Sequence, residues 1–217
     1  GRLKDLVNRQ MILLKEFHTI VLDEADRMLD MGFINDMRFV VAGMPKERQT
    51  LFFAATLSRE IEGLIGEFLK NPVRISVKTG DTAKNVEQDI IRVGQSSAKT
   101  DILYDLLNQK EFSKVLVFGR TKHGVEKLSE TLTKMGIKTE SIHGNKNHFK
   151  RQKALNLFKT NRVQVLVATD VAARGLDIPD ISHVINYDMP ATHDDYVHRI
   201  GRTGRGDKKG KALTFIG

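Results

Sequence analysis

Two adjacent carboxylates at the end of an apolar run give the clearest chemical signal in the sequence. Val21 and Leu22 are followed directly by Asp23 and Glu24. If the run is a strand of an open α/β sheet, its carboxyl end is where ligands bind. One carboxylate there can hold a hydrated Mg²⁺ on nucleotide phosphates, and its neighbour can orient an attacking water. An acidic helix start gives the same residues, so this segment alone leaves both interpretations open.

A second segment combines glycine and arginine, with the sequence His-Arg-Ile-Gly-Arg-Thr-Gly-Arg at 198–205. Arg202 and Arg205 each follow a glycine, which lets a guanidinium approach a phosphate chain closely. Arginine offers forked donors that stabilise the charge on a transferring phosphoryl group. The alternative is a basic, solvated loop.

A third segment, 168–179, begins where an apolar run ends at Ala168. Thr169 and Asp170 follow in a turn whose small residues leave room for a sugar–phosphate backbone. Asp177 is placed to accept a hydrogen bond from a ribose hydroxyl, as acidic residues do in other nucleotide sites. A strand-to-helix turn with capping residues explains the same pattern.

Composition narrows the class of protein and of partner. The chain has 217 residues, a net charge of +8 and no cysteine, which excludes disulfides and thiolate metal sites. A basic excess favours a polyanionic partner, although a protein can also be basic without one. Aromatic residues make up 6% with no Trp, so a base-stacking platform is disfavoured and the phosphate backbone is the expected contact.

Strand-like and helix-like segments alternate along the chain, which predicts an α/β fold with parallel sheets. Strands are expected at 17–23, 50–55, 73–77, 115–118, 163–168, 183–187 and 212–216, and helices at 60–69, 99–108, 124–135 and 150–158. A polar stretch without apolar periodicity suggests a boundary. The predicted organisation is therefore a first part at 1–77, a linker at 78–88 and a second part at 89–217.

Taken together, the three segments resemble the DEAD-box ATP-dependent RNA helicases of superfamily 2, and their motif sequences are most similar to the bacterial Rhl type. The resemblance rests on Asp-Glu-Ala-Asp at 23–26, Ala-Arg-Gly-Leu-Asp-Ile-Pro at 173–179 and the Gly/Arg segment at 198–205. It implies two RecA-like parallel-sheet lobes, the first incomplete. It also implies ATP hydrolysis coupled to local opening of RNA duplexes, in a cytoplasmic monomer without a membrane partner.

The resemblance assigns roles residue by residue. Those implied for catalysis are Asp23, Glu24, Asp26, Thr56, His198, Arg202 and Arg205. Those implied for ATP are Gly175, Asp177, Arg202 and Arg205, with Mg²⁺ held by Asp23 through water. Those implied for RNA are Arg2, Arg120, Thr121, Gly144, Arg151 and Thr169, which would contact the backbone without reading sequence.

Two departures from the family pattern bear on activity. No Gly-x-x-x-x-Gly-Lys-Ser/Thr phosphate loop occurs in the sequence, so we expect an N-terminally truncated fragment that does not hydrolyse ATP by itself. Ala54 stands where the family usually has a serine, which puts the coupling of hydrolysis to unwinding in doubt. Two alternatives stay open: a non-catalytic RNA-binding module, and a DNA-acting helicase of the same superfamily.

Overall fold

The computed structural model describes residues 1–76, 85–94, 96–173, 175–206 and 208–217. The chain divides into two compact units, Gly1–Ser76 and Val77–Gly217. Parallel strands alternate with helices in both, which confirms the predicted α/β class. Within the described residues, no helix combines the length and the apolar composition that crossing a bilayer requires.

The first unit is built around two parallel strands. Its elements are α1 (Arg2–Asn8), β1 (Thr19–Leu22), α2 (Ala25–Asp30), α3 (Ile34–Gly43), β2 (Gln49–Phe52) and α4 (Arg59–Phe68). The strands pair in parallel from Thr19 beside Gln49 to Leu22 beside Phe52, so both end at the same edge. Helices α2, α3 and α4 pack on them through a buried core of Leu22, Ala25, Met37, Val41, Ile61, Leu64, Ile65 and Phe68.

The second unit contains a six-stranded sheet in which every paired strand is parallel. Its elements are β3 (Val86–Arg92), α5 (Ser96–Leu107), β4 (Val115–Phe118), α6 (Lys122–Lys134), β5 (Thr139–Ile142), α7 (His148–Lys159), β6 (Val165–Ala168), α8 (Asp170–Ala173), β7 (His183–Asn186), α9 (His193–Ile200) and β8 (Gly210–Ile216). The strand order is β3-β8-β7-β4-β6-β5.

The central strand β4 shows why this sheet is covered on both faces. All of its residues are buried. Val115 and Val117 belong to one apolar cluster, whereas Leu116 and Phe118 belong to another, because successive strand side chains point to opposite faces. A continuous apolar run therefore becomes a strand sandwiched between helices, as expected for a parallel sheet.

Two expectations about the elements need correction, and two strands were missed. The segment predicted as a strand at 73–77 has no strand at 73–76, and residue 77 lies outside the described residues. The predicted linker at 78–88 lies outside them up to 84, and residues 86–88 belong to β3 instead. Strands β3 and β5 were not predicted, because each lies at an edge of the sheet and mixes polar with apolar residues.

Candidate functional site

The carboxylate pair lies at the carboxyl end of β1, as the apolar run predicted. Asp23 and Glu24 follow Leu22 and both are exposed. The Asp23 Oδ1 atom accepts a hydrogen bond from the Glu24 N–H at 2.9 Å. Glu24 adopts φ 50° and ψ 45°, a left-handed conformation that is uncommon for residues other than glycine. The chain thus turns sharply from strand to helix and presents both carboxylates to solvent.

Asp26 faces inward and ties α2 to the segment that follows β2. Its side chain is buried, and its Oδ2 accepts hydrogen bonds from Ala55 N at 3.0 Å, Thr56 N at 2.9 Å and Thr56 Oγ1 at 3.1 Å. Its Oδ1 accepts from Arg27 N at 3.0 Å. Asp26 therefore fixes the backbone of residues 55–56 relative to the carboxylate pair.

The exposed carboxylates of Asp23 and Glu24 suit a cation that keeps most of its hydration shell. Among the residues that the structure describes, no group of three or more His, Asp or Glu side chains is arranged to hold a metal ion. Mg²⁺ is commonly bound through one or two carboxylates plus waters and phosphates. The exposed carboxylate of Asp23 fits that mode.

The two arginines of the Gly/Arg segment reach back to the Leu176–Asp177 segment. Arg202 Nη1 donates to the Leu176 carbonyl oxygen at 2.9 Å. Arg205 Nη1 donates to Asp177 Oδ1 at 3.0 Å, and the Asp177 side chain is 91% exposed. Two segments that sequence analysis assigned separately to one nucleotide are thus in direct contact.

A cavity of about 260 Å³ opens beside this contact. It is lined by Asp177, Ile178, Pro179, Asp180, Ile181, Arg202, Thr203, Gly204, Arg205 and Lys208. Sites that enclose a whole ligand usually measure roughly 300–1,000 Å³. The cavity therefore fits part of a nucleotide, with a carboxylate for hydroxyl groups and guanidinium groups for phosphate.

Gly204 allows the arginine turn to pack against the start of β3. Its φ is +64°, and a Cβ there would lie 2.7 Å from Val86 Cγ2 and 2.9 Å from the Asn85 carbonyl oxygen. A side chain would be strained by the backbone and would also clash. The glycine therefore has a packing role, in addition to the close approach of phosphate inferred from the sequence.

The residues implied for RNA follow the carboxyl ends of three neighbouring strands. Arg120 and Thr121 come after β4, Thr169 after β6, and Gly144 after β5. The strand order β4-β6-β5 sets these ends side by side. Gly119 N donates to the Ala168 carbonyl at 3.0 Å, and Thr169 N to that of Ile142 at 3.3 Å. The structure thus brings together residues that are far apart in the sequence.

The remaining residues implied for RNA have different settings. Arg151 lies on α7 and is partly buried, and its Nε has no hydrogen-bond partner among the described residues. Gly144 is exposed, and a Cβ there would meet no protein atom within 4 Å. Arg2 begins α1 in the first unit and is exposed. His198, which the resemblance implies for catalysis and not for RNA, lies near the end of α9.

Sequence analysis quoted Arg199 within the Gly/Arg segment but assigned it no role. The side chain is 2% exposed and binds Asp170 through two hydrogen bonds, at 2.6 and 2.8 Å. It also donates to Asn186 Oδ1 at 3.1 Å and to the Asp188 carbonyl at 2.6 Å. Asp188 in turn accepts from the Arg120 N–H at 2.8 Å. The sequence did carry a signal for this contact. Arg199 stands beside the apolar Ile200 near the end of an amphipathic helix, and an arginine that is buried there requires an acidic partner.

Comparison with known families now decides the assignment. The family described as DEAD/DEAH box helicase matches residues 1–64, and the helicase conserved C-terminal domain matches residues 98–207. The chain belongs to the DEAD-box helicases. Residue 174, which carries the arginine of the 173–179 motif, lies outside the described residues.

Two similar curated relatives come from bacteria. The DEAD-box ATP-dependent RNA helicase CshA of Bacillus subtilis is 46% identical over all 217 residues, which cover 44% of that protein. The ATP-dependent RNA helicase CshA of Listeria monocytogenes is also 46% identical, with 42% of its length covered. The chain therefore spans less than half the length of these relatives. The finer resemblance to the Rhl type stays a prediction.

Solved structures give the same family. Saccharomyces cerevisiae Dbp5 bound to RNA and ADP BeF3 is 31% identical with a TM-score of 0.84, covering 99% of this chain and 57% of that one. A DEAD box protein from Methanococcus jannaschii is 38% identical with a TM-score of 0.58, covering 98% and 57%. Escherichia coli SrmB bound to the regulator of ribonuclease activity A is 44% identical with a TM-score of 0.58, covering 60% and 77%.

Proposed function

We propose that the chain carries part of an ATP-dependent RNA helicase, with Gly1–Ser76 belonging to the first RecA-like lobe and the described residues from 85 onward to the second. The supporting observation is the contact of Arg202 and Arg205 with the Leu176–Asp177 segment. That contact sets a ribose-type acceptor and two phosphate-type donors around one cavity.

In this proposal each polar group has a defined task in ATP hydrolysis. Glu24 orients and polarises the attacking water, since its carboxylate is exposed at a strand end. Asp23 holds Mg²⁺ through water, and the bound ion supplies neutralisation of phosphate charge. Asp177 accepts a hydrogen bond from a ribose hydroxyl, while Arg202 and Arg205 stabilise the charge that develops on the γ-phosphoryl group.

Asp26 and Thr56 hold the carboxylate pair after β1 in a fixed position relative to the segment after β2. Their hydrogen bonds link the carboxylate pair to residues 55–56, the region where the family ties hydrolysis to strand separation. Ala54 lacks the hydroxyl usual at its position, so this link rests on Asp26 and Thr56. His198 is proposed as a further member of the same coupling.

RNA contact is proposed at the joined carboxyl ends of β4, β6 and β5. Backbone amides, a threonine hydroxyl and nearby guanidinium groups suit phosphate oxygens, which carry no sequence information. Gly144 supports this assignment because the fold would tolerate a side chain there, so close approach of an external backbone is a sufficient reason for glycine. Arg2 is proposed to add a contact from the first unit.

A direct test uses the complete protein that contains this sequence. Glu24→Gln and Arg205→Lys are each expected to lower RNA-stimulated ATP turnover. For Arg205→Lys the expected loss is about 10³-fold or more, because an arginine donor to a transferring phosphoryl group is worth at least that much. Asp30→Asn likewise replaces an exposed carboxylate by an amide, and Arg162→Lys replaces an exposed arginine by lysine, so the two serve as controls. Turnover that falls equally in the controls, or not at all in the variants, contradicts the assignment.

The alternatives left open by the sequence are not favoured. A non-catalytic RNA module does not account for the carboxylate tip, and the relatives reported above are named RNA helicases rather than DNA helicases. Stimulation of ATP turnover by RNA and by DNA of equal length separates the two helicase classes. Binding without regard to sequence, the monomeric state and the cytoplasmic location stay predictions.

A further inference from the structure

A half-buried carboxylate on α6 collects donors from the end of β5 and the turn beyond it. Glu126 is 40% exposed, and its Oε2 accepts a hydrogen bond from the Ser141 hydroxyl. The same atom lies 3.0 Å from His143 Nε2 and 3.3 Å from Lys146 Nζ. One oxygen therefore joins a helix, a strand end and a turn.

The imidazole of His143 is fixed in one orientation by this arrangement. The residue is buried, and its Nδ1 accepts from the Asn145 N–H at 3.3 Å. A backbone N–H can only donate, so Nδ1 carries the lone pair. In the neutral ring the proton is then on Nε2, where it is donated to Glu126. The ring thus acts as a strut between α6 and the turn at 143–146.

The same turn leads into the region proposed to contact RNA. Gly144 lies within it, exposed, and Lys146 N closes it by donating to the His143 carbonyl at 3.1 Å. Asn147 then caps α7, its Oδ1 accepting from Lys150 N at 2.9 Å. Because α7 starts at this cap, the position of Arg151 also depends on the turn.

Glu126 is negatively charged at neutral pH. Burial raises the pKa of its carboxyl group, but hydrogen bonds from Ser141 and His143 and the nearby Lys146 ammonium outweigh burial and lower the pKa below its usual value. A negative charge near a phosphate-binding surface repels RNA through space. Electrostatics alone therefore predicts that removing this carboxylate tightens RNA binding.

We propose that Glu126 is a positioning residue for RNA, which holds the turn at 143–146 in the shape that lets Gly144 and Arg151 contact phosphate. The inference rests on the RNA contact proposed above for the carboxyl ends of β4, β6 and β5. It predicts the opposite sign from electrostatics: loss of this negative charge weakens RNA binding.

The test measures binding of the 217-residue chain to a short, fluorescently labelled oligouridylate at low salt. Glu126→Ala is expected to weaken binding about three- to tenfold, the size of a typical net hydrogen-bond contribution, because the phosphate contacts are displaced and not removed. Glu126→Gln keeps the size of the side chain and one acceptor oxygen, so it guards against misfolding and is expected to give a smaller loss in the same direction. Glu130→Ala removes an exposed charge from the same helix and is expected to leave binding unchanged or tighter.

Nitrogen NMR of the His143 ring reports on positioning directly. The unsubstituted chain is expected to show the Nε2–H tautomer, and Glu126→Ala a mixture of tautomers. A purely structural role would lower stability while leaving the affinity of the folded protein intact, and that result overturns the inference. Binding by Glu126→Ala and Glu126→Gln that matches or exceeds that of Glu130→Ala also overturns it. If the unsubstituted chain binds no RNA, the proposed RNA contact fails first and the inference falls with it.

Discussion

Arg199 and Asp170 form a two-pronged ion pair between α9 and α8, with Nε–Oδ1 and Nη2–Oδ2 distances of 2.6 and 2.8 Å. Asp170 directly follows Thr169, which is proposed to contact RNA. Arg199 is three residues before Arg202, which is proposed to contact nucleotide. The pair therefore joins α9, the helix that directly precedes the nucleotide-side Arg202, to the turn that carries the RNA-side hydroxyl of Thr169.

Breaking this pair is expected to destabilise the second unit strongly. Arg199→Ala leaves a carboxylate without its buried partner, which costs about 3–5 kcal/mol of unfolding free energy. Arg199→Lys keeps the charge but loses the fork, and about 1–3 kcal/mol is expected from unsatisfied acceptors. The chain has 3 tyrosines and no tryptophan, and Tyr104, Tyr187 and Tyr196 all lie in this unit. Urea unfolding followed by tyrosine fluorescence therefore reports on this unit selectively.

The control for this prediction is a second arginine pair in the same unit. Arg205 and Asp177 are 42% and 91% exposed, so Arg205→Lys is expected to cost less than about 1 kcal/mol. If Arg199→Lys and Arg205→Lys lowered the free energy of unfolding equally, burial of the Arg199–Asp170 pair would not contribute to its stabilising effect.

Asp26→Asn is expected to loosen the segment at 55–56. The asparagine side chain replaces one carboxylate oxygen by an amide donor, so the partly buried hydrogen bonds from Ala55 N and Thr56 N lose their acceptor, at about 1–3 kcal/mol for each. Hydrogen exchange at the Ala55 and Thr56 amides should accelerate by roughly 10- to 100-fold. Asp30→Asn, an exposed change on the same helix, should leave those rates unaltered, and acceleration by both variants would contradict a specific tie.

RNA affinity is expected to fall with salt in proportion to the number of phosphate contacts. Arg120→Ala and Arg151→Ala should each reduce the slope of log Kd against log salt concentration by about 0.7, the value for one phosphate on a single strand. Lys110→Ala removes an exposed cation that precedes β4 and lies on the amino side of the sheet. A slope reduced as much by Lys110→Ala would point to diffuse attraction instead of a defined surface.

Stability of the second unit is expected to decrease as the pH falls below about 6.5. Burial lowers the pKa of His183, which stacks on Phe112 with ring centroids 3.9 Å apart; Glu111 and Glu87 raise this pKa and Lys211 lowers it. Because the folded pKa lies below the unfolded value of about 6.5, the unfolded state binds more protons in the window below it. Any destabilisation is therefore absent above that pH and grows as the pH falls, by at most about 1.4 kcal/mol per pH unit.

His183→Phe tests this assignment, since it keeps a stacked ring and removes the titrating group. The pH slope of unfolding free energy between pH 5 and 6.5 should become smaller, whatever the change in absolute stability. His123→Gln replaces an exposed histidine on α6 and should leave the slope as it is. An unchanged slope in His183→Phe would rule out His183 as its source.

The sequence was most informative where a single segment determines the position of a strand and of the residues that follow it. The segment 19–22 forms a strand that ends at the buried Leu22, so Asp23 and Glu24 must emerge at its carboxyl end. The runs at 115–118 and 165–168 likewise form fully buried strands. Edge strands β3 and β5 escaped prediction because only one side of each is paired, which permits polar residues that hide the strand pattern.

The sequence by itself determined which residue types stand at each strand end, because local burial and strand period act within a few neighbouring residues. Only the tertiary structure decided that Arg199 meets Asp170, that Arg205 meets Asp177 and that Glu126 meets His143. These partners are separated by 29, 28 and 17 positions, and their contact depends on strand order and helix packing. Strand order and helix packing depend on how the whole sheet buries both of its faces, and a local sequence pattern carries no information about that.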